Sequence, residues 1–146
     1  MLSDYKYIKM FIISIPLMFL TVSCGDSKNI ECQLFIKIVN QTVQETKTIN
    51  NQGKKTDSET LVKIAELLEK SSTEMSALKI KDTKLKELQT GFTNWYKDNS
   101  KATRKLVEAR KKRNNDDFDD ALKKLKAAKK SETELVNSIN SYCGGK

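Results

Sequence analysis

The sequence predicts an all-α fold, an up-down-up-down antiparallel four-helix bundle with coiled-coil-like packing. Apolar residues recur at alternating steps of three and four in four successive segments, which is the heptad pattern of bundle helices. Short connections join the segments, and short connections make neighbouring helices antiparallel. The single proline, Pro16, precedes all four segments, so none of them contains this helix breaker.

The first helix is predicted over 27–51, and Gly53 follows it as a left-handed cap. Its stripe repeats with heptad spacing, and the apolar residues Ile30, Leu34 and Val39 lie beside it. The stripe residues are Phe35, Ile38, Thr42, Thr46 and Ile49.

The second helix is predicted over 57–78. Thr56 and Glu59 have the spacing of a capping box, in which the hydroxyl accepts from the backbone of residue 59 and the carboxylate reaches back. The stripe residues are Leu61, Ile64, Leu68, Ser71, Met75 and Leu78.

The third helix is predicted over 83–113, with Asp82 as its N-cap. Gly91 weakens it locally by about 1 kcal/mol relative to alanine. Trp95 falls on the stripe, so we expect it to pack in the core, with Tyr96 covering the core edge. The stripe residues are Leu85, Leu88, Phe92, Trp95, Asn99, Ala102, Leu106 and Ala109.

The fourth helix is predicted over 116–143, capped by Asn114 or Asn115 and stopped by Gly144 and Gly145. Its stripe residues are Phe118, Ala121, Leu125, Ala128, Glu132, Leu135, Ile139 and Tyr142. Polar residues interrupt the four stripes, and they either fix the register at some cost in stability or mark a loosely packed half. The interrupting residues are Thr42, Thr46, Ser71, Asn99 and Glu132.

The first 23 residues have the pattern of an export signal. Lys6 and Lys9 precede an apolar run over 10–22, which is shorter than the roughly 20 residues of a membrane-spanning helix. The stretch Leu20-Thr21-Val22-Ser23-Cys24 resembles the bacterial lipobox, although Thr21 stands where leucine is usual. In that family the cysteine sulfur receives a diacylglycerol, and cleavage exposes an amine that can be acylated. The alternative is an uncleaved N-terminal anchor with Cys24 as a bystander.

The lipobox resemblance implies three parts: a removed signal over 1–23, a lipidated tether over 24–29 and a helical bundle domain over 30–146. Two or three acyl chains, palmitate among them, hold a protein firmly on a membrane. We therefore expect an exported protein that is anchored to a bacterial lipid bilayer through acylated Cys24. It would lie on the periplasmic, luminal or outer face.

The two remaining cysteines agree with the predicted topology. Cys32 lies near the start of the first helix and Cys143 at the end of the fourth, so an even number of antiparallel helices places both at the same end. An exported compartment permits disulfides, and this one would close a loop of about 110 residues, worth up to about 4–5 kcal/mol. The alternative is two unpaired thiols.

Basic residues outnumber acidic ones by 27 to 19, which favours anionic surfaces, acidic partners or polyanions. The basic cluster 110–113 and the acidic run 116–120 flank one turn, where they suit the helix dipoles and can neutralise each other. Basic strips on the third and fourth helices are either solvated faces or a docking face for an acidic protein or anionic polysaccharide. The candidate partner-binding residues are Lys97, Lys101, Arg104, Lys105, Arg110, Lys111, Lys112, Arg113, Lys123, Lys126 and Lys130.

Several chemistries are disfavoured. The chain has no histidine, which excludes Ser-His-Asp and Cys-His catalysis and the usual histidine–cysteine zinc sites. It has no Cys-x-x-Cys motif and no glycine-rich phosphate loop, and the run 116–120 lacks calcium-loop spacing. We expect no enzyme activity, no metal and no cofactor. The exported location also argues against nucleic acid as a partner.

Four stretches carry a further resemblance: Glu31-Cys32, Val39-Asn40-Gln41, 100–107 and 135–143. Through them the span 31–143 resembles small cyanobacterial helical lipoproteins of uncharacterised function. The resemblance implies a helical domain with paired terminal cysteines and supplies no activity. The resulting hypothesis is a membrane-anchored structural or protein-interaction module of the cell envelope. The alternative is an adhesin-type surface binder of anionic polysaccharide.

Overall fold

Four helices make up the part of the chain that the structure describes. The structure is a computed structural model that describes residues 27–52 and 57–144. The helices are α1 (Ser27–Gln52), α2 (Ser58–Ala77), α3 (Thr83–Lys112) and α4 (Asn115–Cys143). These described ranges contain no strand, so the predicted all-α class is confirmed. The four predicted helices lie where the observed ones do, within a residue at each end.

The N-terminus of α2 differs from the prediction. Its N-cap is Asp57, whose carboxylate accepts from the Thr60 backbone N–H at 2.7 Å. That bond lowers the pKa of Asp57. The predicted capping box is wrong, because Asp57 stands directly before the first helical residue and reaches the free amide itself. Glu59 instead pairs with Lys63 one turn later, and Thr56 lies outside the described residues.

The caps of α3 and α4 follow the prediction. The Asp82 carboxylate accepts from the Leu85 backbone N–H at 2.9 Å. Of the two candidate caps for α4, the structure selects Asn114, whose side-chain oxygen accepts from the Asp117 backbone N–H at 3.1 Å. Between the two helices, Arg113 ends α3 in the left-handed conformation with φ 53°. This residue turns the chain, so α3 and α4 form a tight hairpin.

α3 is the central helix, because it packs along its length against both α2 and α4. Hydrogen bonds cross both interfaces. Ser72 Oγ donates to the Thr93 carbonyl at 2.9 Å, and the Trp95 indole N–H donates to the Ala128 carbonyl at 2.8 Å. α1 packs chiefly on α2 and makes fewer contacts with α3 and α4. Adjacent helices therefore pack together, and the side between α1 and α4 is the least closed.

The apolar core has two clusters. The larger contains Phe35, Met75 and Phe92, and the rings of Phe35 and Phe92 meet edge to face with centroids 5.2 Å apart. The smaller lies between α2, α3 and α4 and includes Leu61 and Leu106. Most of the predicted stripe residues of α2 and α3 are buried in these clusters. The heptad pattern therefore identified the inner faces of both helices.

Two neighbouring aromatic residues of α3 both pack on the core, at different depths. Tyr96 is fully buried, whereas Trp95 is partly exposed and lies against α4. The predicted packing role of Trp95 is confirmed, because it lies partly buried against the larger core cluster, whereas the prediction that Tyr96 covers the core edge was wrong. The physical reason is the central position of α3, since a helix with partners on two sides buries more than one stripe. Residue 96 then points inward, and residue 95 points toward one partner.

The middle of α4 is only partly covered. No residue between Leu125 and Ile139 is fully buried, although three predicted stripe positions fall there. Those positions are Ala128, Glu132 and Leu135. Because α1 makes few contacts with α4, this face lacks the fourth helix that would cover it in a closed bundle.

Candidate functional site

The two cysteines of the described residues, Cys32 and Cys143, meet at one end of the bundle, here called the disulfide end. The Sγ atoms of Cys32 and Cys143 lie at disulfide-bonding distance, and their Cα atoms are 5.7 Å apart. The predicted pairing is therefore confirmed. The predicted signal over 1–23 and the predicted lipidation site Cys24 lie outside the described residues.

Polar bonds fasten the turn between α2 and α3 to the same end. The buried carboxylate of Glu31 accepts from the backbone N–H groups of Lys81 and Asp82 at 3.0 and 3.1 Å. The Tyr142 hydroxyl donates to Asp82 Oδ2 at 2.9 Å, and this bond raises the pKa of Tyr142. Lys28 Nζ lies 3.9 Å from the centre of the Tyr142 ring. Segments from α1, the α2–α3 turn and α4 are thus joined within a few ångströms.

The opposite end, here called the hairpin end, carries ion pairs across the α3–α4 turn. Lys105 Nζ lies 3.2 Å from Asp117 Oδ1 and 3.0 Å from Asp120 Oδ2. Lys124 Nζ lies 2.9 Å from the same Asp120 oxygen. The hydrogen bonds to Asp120 and Asp117 raise the pKa of Lys105, and those from Lys124 and Lys105 lower the pKa of Asp120. The acidic run is therefore neutralised chiefly from within the two helices.

The basic cluster 110–113 has other contacts. The Arg110 guanidinium lies 5.9 Å from the centre of the Phe118 ring, and Lys112 pairs with Glu108 of its own helix at 2.6 Å. Lys111 and Arg113 are exposed. The acidic run pairs with Lys105, a member of the predicted basic strip of α3, and with Lys124, which was not among the predicted residues. Asn114 Nδ2 also donates to Asp117 Oδ2 at 2.7 Å.

An open groove of about 900 Å³ runs between α3 and α4. Trp95 and Leu135 contribute its large apolar side chains, and Asp98 and Glu134 contribute carboxylates. Three lysines and several small residues also line it. They are Lys101, Lys105 and Lys124, with Gly91, Ala102, Ala127, Ala128 and Ser131.

The predicted basic strips do not lie on one face. On α3, Lys101 and Lys105 line the groove, whereas Arg104 turns to α2 and pairs with Glu69 at 3.0 Å. On α4 the groove is lined by Lys124, which the sequence analysis missed. Its spacing of four residues from Asp120 was the available signal. The remaining predicted lysines are exposed and do not line the groove: Lys97, Lys123, Lys126 and Lys130.

One buried acceptor in the groove wall has no hydrogen-bond partner. Asn99 lines the groove and is 1% exposed, and its side-chain Oδ1 is unpaired. Its Nδ2 donates to the Trp95 carbonyl at 2.9 Å. A buried polar atom without a partner costs roughly 1–3 kcal/mol, so Asn99 reduces the stability of the bundle at this point.

Polar residues that interrupt three of the stripes lie near the buried Tyr96 inside the bundle. This cluster, here called the polar layer, consists of Thr42, Ser71, Tyr96 and Glu132. The Thr42 and Ser71 hydroxyls lie 2.8 Å apart, and the Tyr96 hydroxyl lies near Thr42. Burial raises the pKa of Tyr96, and it raises the pKa of Glu132 to about 7. The hydroxyl pair joins α1 to α2 at one height, which favours the register interpretation of these residues.

The described residues offer neither a metal site nor a membrane span. Within 27–52 and 57–144 no three histidine, cysteine, aspartate or glutamate side chains converge as metal ligands. None of the four described helices combines the length and apolarity needed to cross a bilayer. No protein-family model, curated protein or solved structure matches the chain. Its function is therefore argued from its own residues.

Proposed function

We propose that this protein is a membrane-anchored bacterial lipoprotein that serves, without catalysis, as a structural or protein-interaction module of the cell envelope. The lipobox-like stretch that ends at Cys24 supports the anchor, through which the acylated cysteine would enter the lipid bilayer. The Cys32–Cys143 pair supports export, since disulfides persist in oxidising compartments. The proposed location is the periplasmic, luminal or outer face of a bacterial membrane.

The proposed topology is an up-down-up-down antiparallel bundle with coiled-coil-like packing. The register of the contacts supports it, because residue numbers rise along α1 as they fall along α2. Glu31 near the start of α1 contacts Lys81, which follows α2. Thr42, eleven residues after Glu31, contacts Ser71, ten residues before Lys81. This topology puts the tether and the α2–α3 turn at the disulfide end and the α3–α4 turn at the other.

The groove between α3 and α4 is the observation that carries the interaction role. A cleft of about 900 Å³ with small side chains along both walls suits an amphipathic helix laid into it. The large apolar side chains of Trp95 and Leu135 in the groove provide contacts for the apolar face of that helix. The proposed occupant is a helical segment of a partner protein, with an acidic residue opposite exposed Lys101, since Lys105 and Lys124 already pair with Asp117 and Asp120.

Lipid attachment is tested by the intact mass of the protein extracted from its own membrane. We expect a species that lacks residues 1–23 and carries a diacylglycerol and an acyl chain. Cys24→Ala should abolish both changes, while Cys143→Ser, a matched change at another cysteine, should leave them intact. A native protein that retains residues 1–23 would overturn the anchor.

Docking is tested by placing a photo-crosslinking amino acid at Lys101 in cells that make the full protein. The matched control is the same residue at Lys70, an exposed lysine of α2 that does not line the groove. We expect one recurrent protein adduct at position 101 and none at position 70. If position 101 gives no protein adduct and the protein instead binds heparin with steep salt dependence, the polysaccharide alternative replaces this proposal.

A further inference from the structure

Two large apolar side chains of α1 face solvent. Ile30 is 58% exposed and Leu34 is 47% exposed, and they are the large apolar residues that stay exposed within the described ranges. They lie four residues apart, so they are neighbours on one helix face. Together they form a small apolar patch that a larger docking surface can include.

The pair lies at the disulfide end. Glu31, which follows Ile30, binds the backbone of Lys81 and Asp82, so the α2–α3 turn sits beside the first turn of α1. Cys24 precedes the first residue of α1 by three positions, which span at most about 11 Å. Leu34 lies about 10 Å from the first residue of α1, measured along the helix axis. A lipid on Cys24 would therefore hold a bilayer within reach of both side chains.

Lysines flank the apolar pair. Lys37 is exposed one turn after Leu34, and Lys79 and Lys81 are exposed on the adjoining turn. The nearby carboxylates of Glu31 and Asp82 already accept other hydrogen bonds. Glu31 accepts from the backbone of the α2–α3 turn, and Asp82 caps α3 and accepts from Tyr142. Apolar side chains within a basic surround are the combination that binds the surface of an anionic bilayer.

We propose that the disulfide end docks on an anionic lipid surface through Ile30, Leu34, Lys37, Lys79 and Lys81. This inference rests on the proposed lipid anchor and adds an orientation to it. The acyl chains attach the protein, and the docked end prevents the bundle from swinging on its short tether. Since α3 is 30 residues long, its hairpin end would then stand about 45 Å from the docked end.

The test uses the full acylated protein in vesicles of equal parts phosphatidylcholine and phosphatidylglycerol. A photo-crosslinking amino acid replaces Leu34, and the control variant carries it at exposed Lys111 of the hairpin end. We expect lipid adducts at position 34 to exceed those at position 111 about tenfold, the factor that burial of one apolar side chain supplies. Lys79→Gln and Lys81→Gln should each lower the yield at position 34 about fivefold in these vesicles, and should not change it in pure phosphatidylcholine.

The outcomes separate this inference from the anchor on which it rests. Intact mass reports the acyl group on Cys24, and the ratio of adducts reports the docked surface. Equal lipid yields at positions 34 and 111 on an acylated protein would overturn the docking and leave the anchor standing. Protein adducts at position 34, in place of lipid, would also overturn it and would identify a second copy or another protein as the cover. Circular dichroism of each variant confirms that the helices are retained.

Discussion

Glu132 should make the stability of the bundle fall as the pH rises toward neutrality. Its carboxyl lies partly buried on α4 near Tyr96, and burial raises its pKa from 4.5 to about 7, with the charge of Lys129 opposing the rise. In the unfolded chain the pKa returns to its ordinary value. Between pH 4.5 and about 7 the folded protein therefore binds more protons than the unfolded chain. Stability from this group is full below that window and is lost as the pH rises through it.

The magnitude follows from the size of the pKa difference. Each unit of pKa difference corresponds to a little over 1 kcal/mol, so the shift sets a ceiling of about 3 kcal/mol. Water still reaches part of the Glu132 side chain, which reduces the expected effect to about 1–2 kcal/mol. Glu132→Gln keeps the shape of the side chain and stays neutral, so this part of the pH dependence should disappear. At neutral pH the variant should be more stable than the wild type by the same amount.

Urea unfolding, followed by far-ultraviolet circular dichroism on the oxidised protein in mild detergent, measures the effect between about pH 5 and pH 8. The matched control is Glu134→Gln, because this carboxylate is exposed on the same helix. The control should show the same slope as the wild type, and Glu132→Gln should show a flatter one. If wild type and Glu132→Gln have parallel pH profiles, the burial argument for this carboxyl is refuted.

Three further changes test the packing. Cys143→Ser removes the bond between two cysteines that are 111 residues apart in sequence, and it should lower the free energy of unfolding by about 3–5 kcal/mol. If the reduced wild type and the variant both unfold at the same urea concentration as the oxidised protein, the disulfide does not stabilise the bundle. Gly91→Ala should give most of the usual gain of about 1 kcal/mol, because the one close contact of the new Cβ, at 2.7 Å, is with Leu135 Cδ2 at the flexible end of a partly exposed side chain. A loss of stability in urea unfolding would show that Leu135 cannot move aside. Thr42→Val should lower the free energy of unfolding by about 1–3 kcal/mol, because it leaves the buried Ser71 hydroxyl unpaired. Ser71→Ala should cost less in the Thr42→Val background than in the wild type. If the two losses measured by urea unfolding simply add, the hydrogen bond between the two hydroxyls is refuted.

The helices and most of their ends could be predicted from the sequence, because heptad spacing and capping are local properties. Asp82 and Asn114 act within three residues of the amides that they cap, so their roles follow from short spacing. The pairing of Cys32 with Cys143 could also be predicted. An even number of antiparallel helices brings the two chain ends together whatever the details of packing.

The tertiary structure decided how each helix is rotated against its neighbours. Heptad spacing shows which residues share a face, but it does not show which partner that face meets. That is why Tyr96 is buried more deeply than Trp95, and why Arg104 turns to α2 while Lys124 joins the groove. The unpaired oxygen of Asn99 and the raised pKa of Glu132 depend on the same rotation, because both result from burial. The sequence alone determined four amphipathic helices and a cysteine pair, and the packing of the helices determined which polar groups are buried away from water.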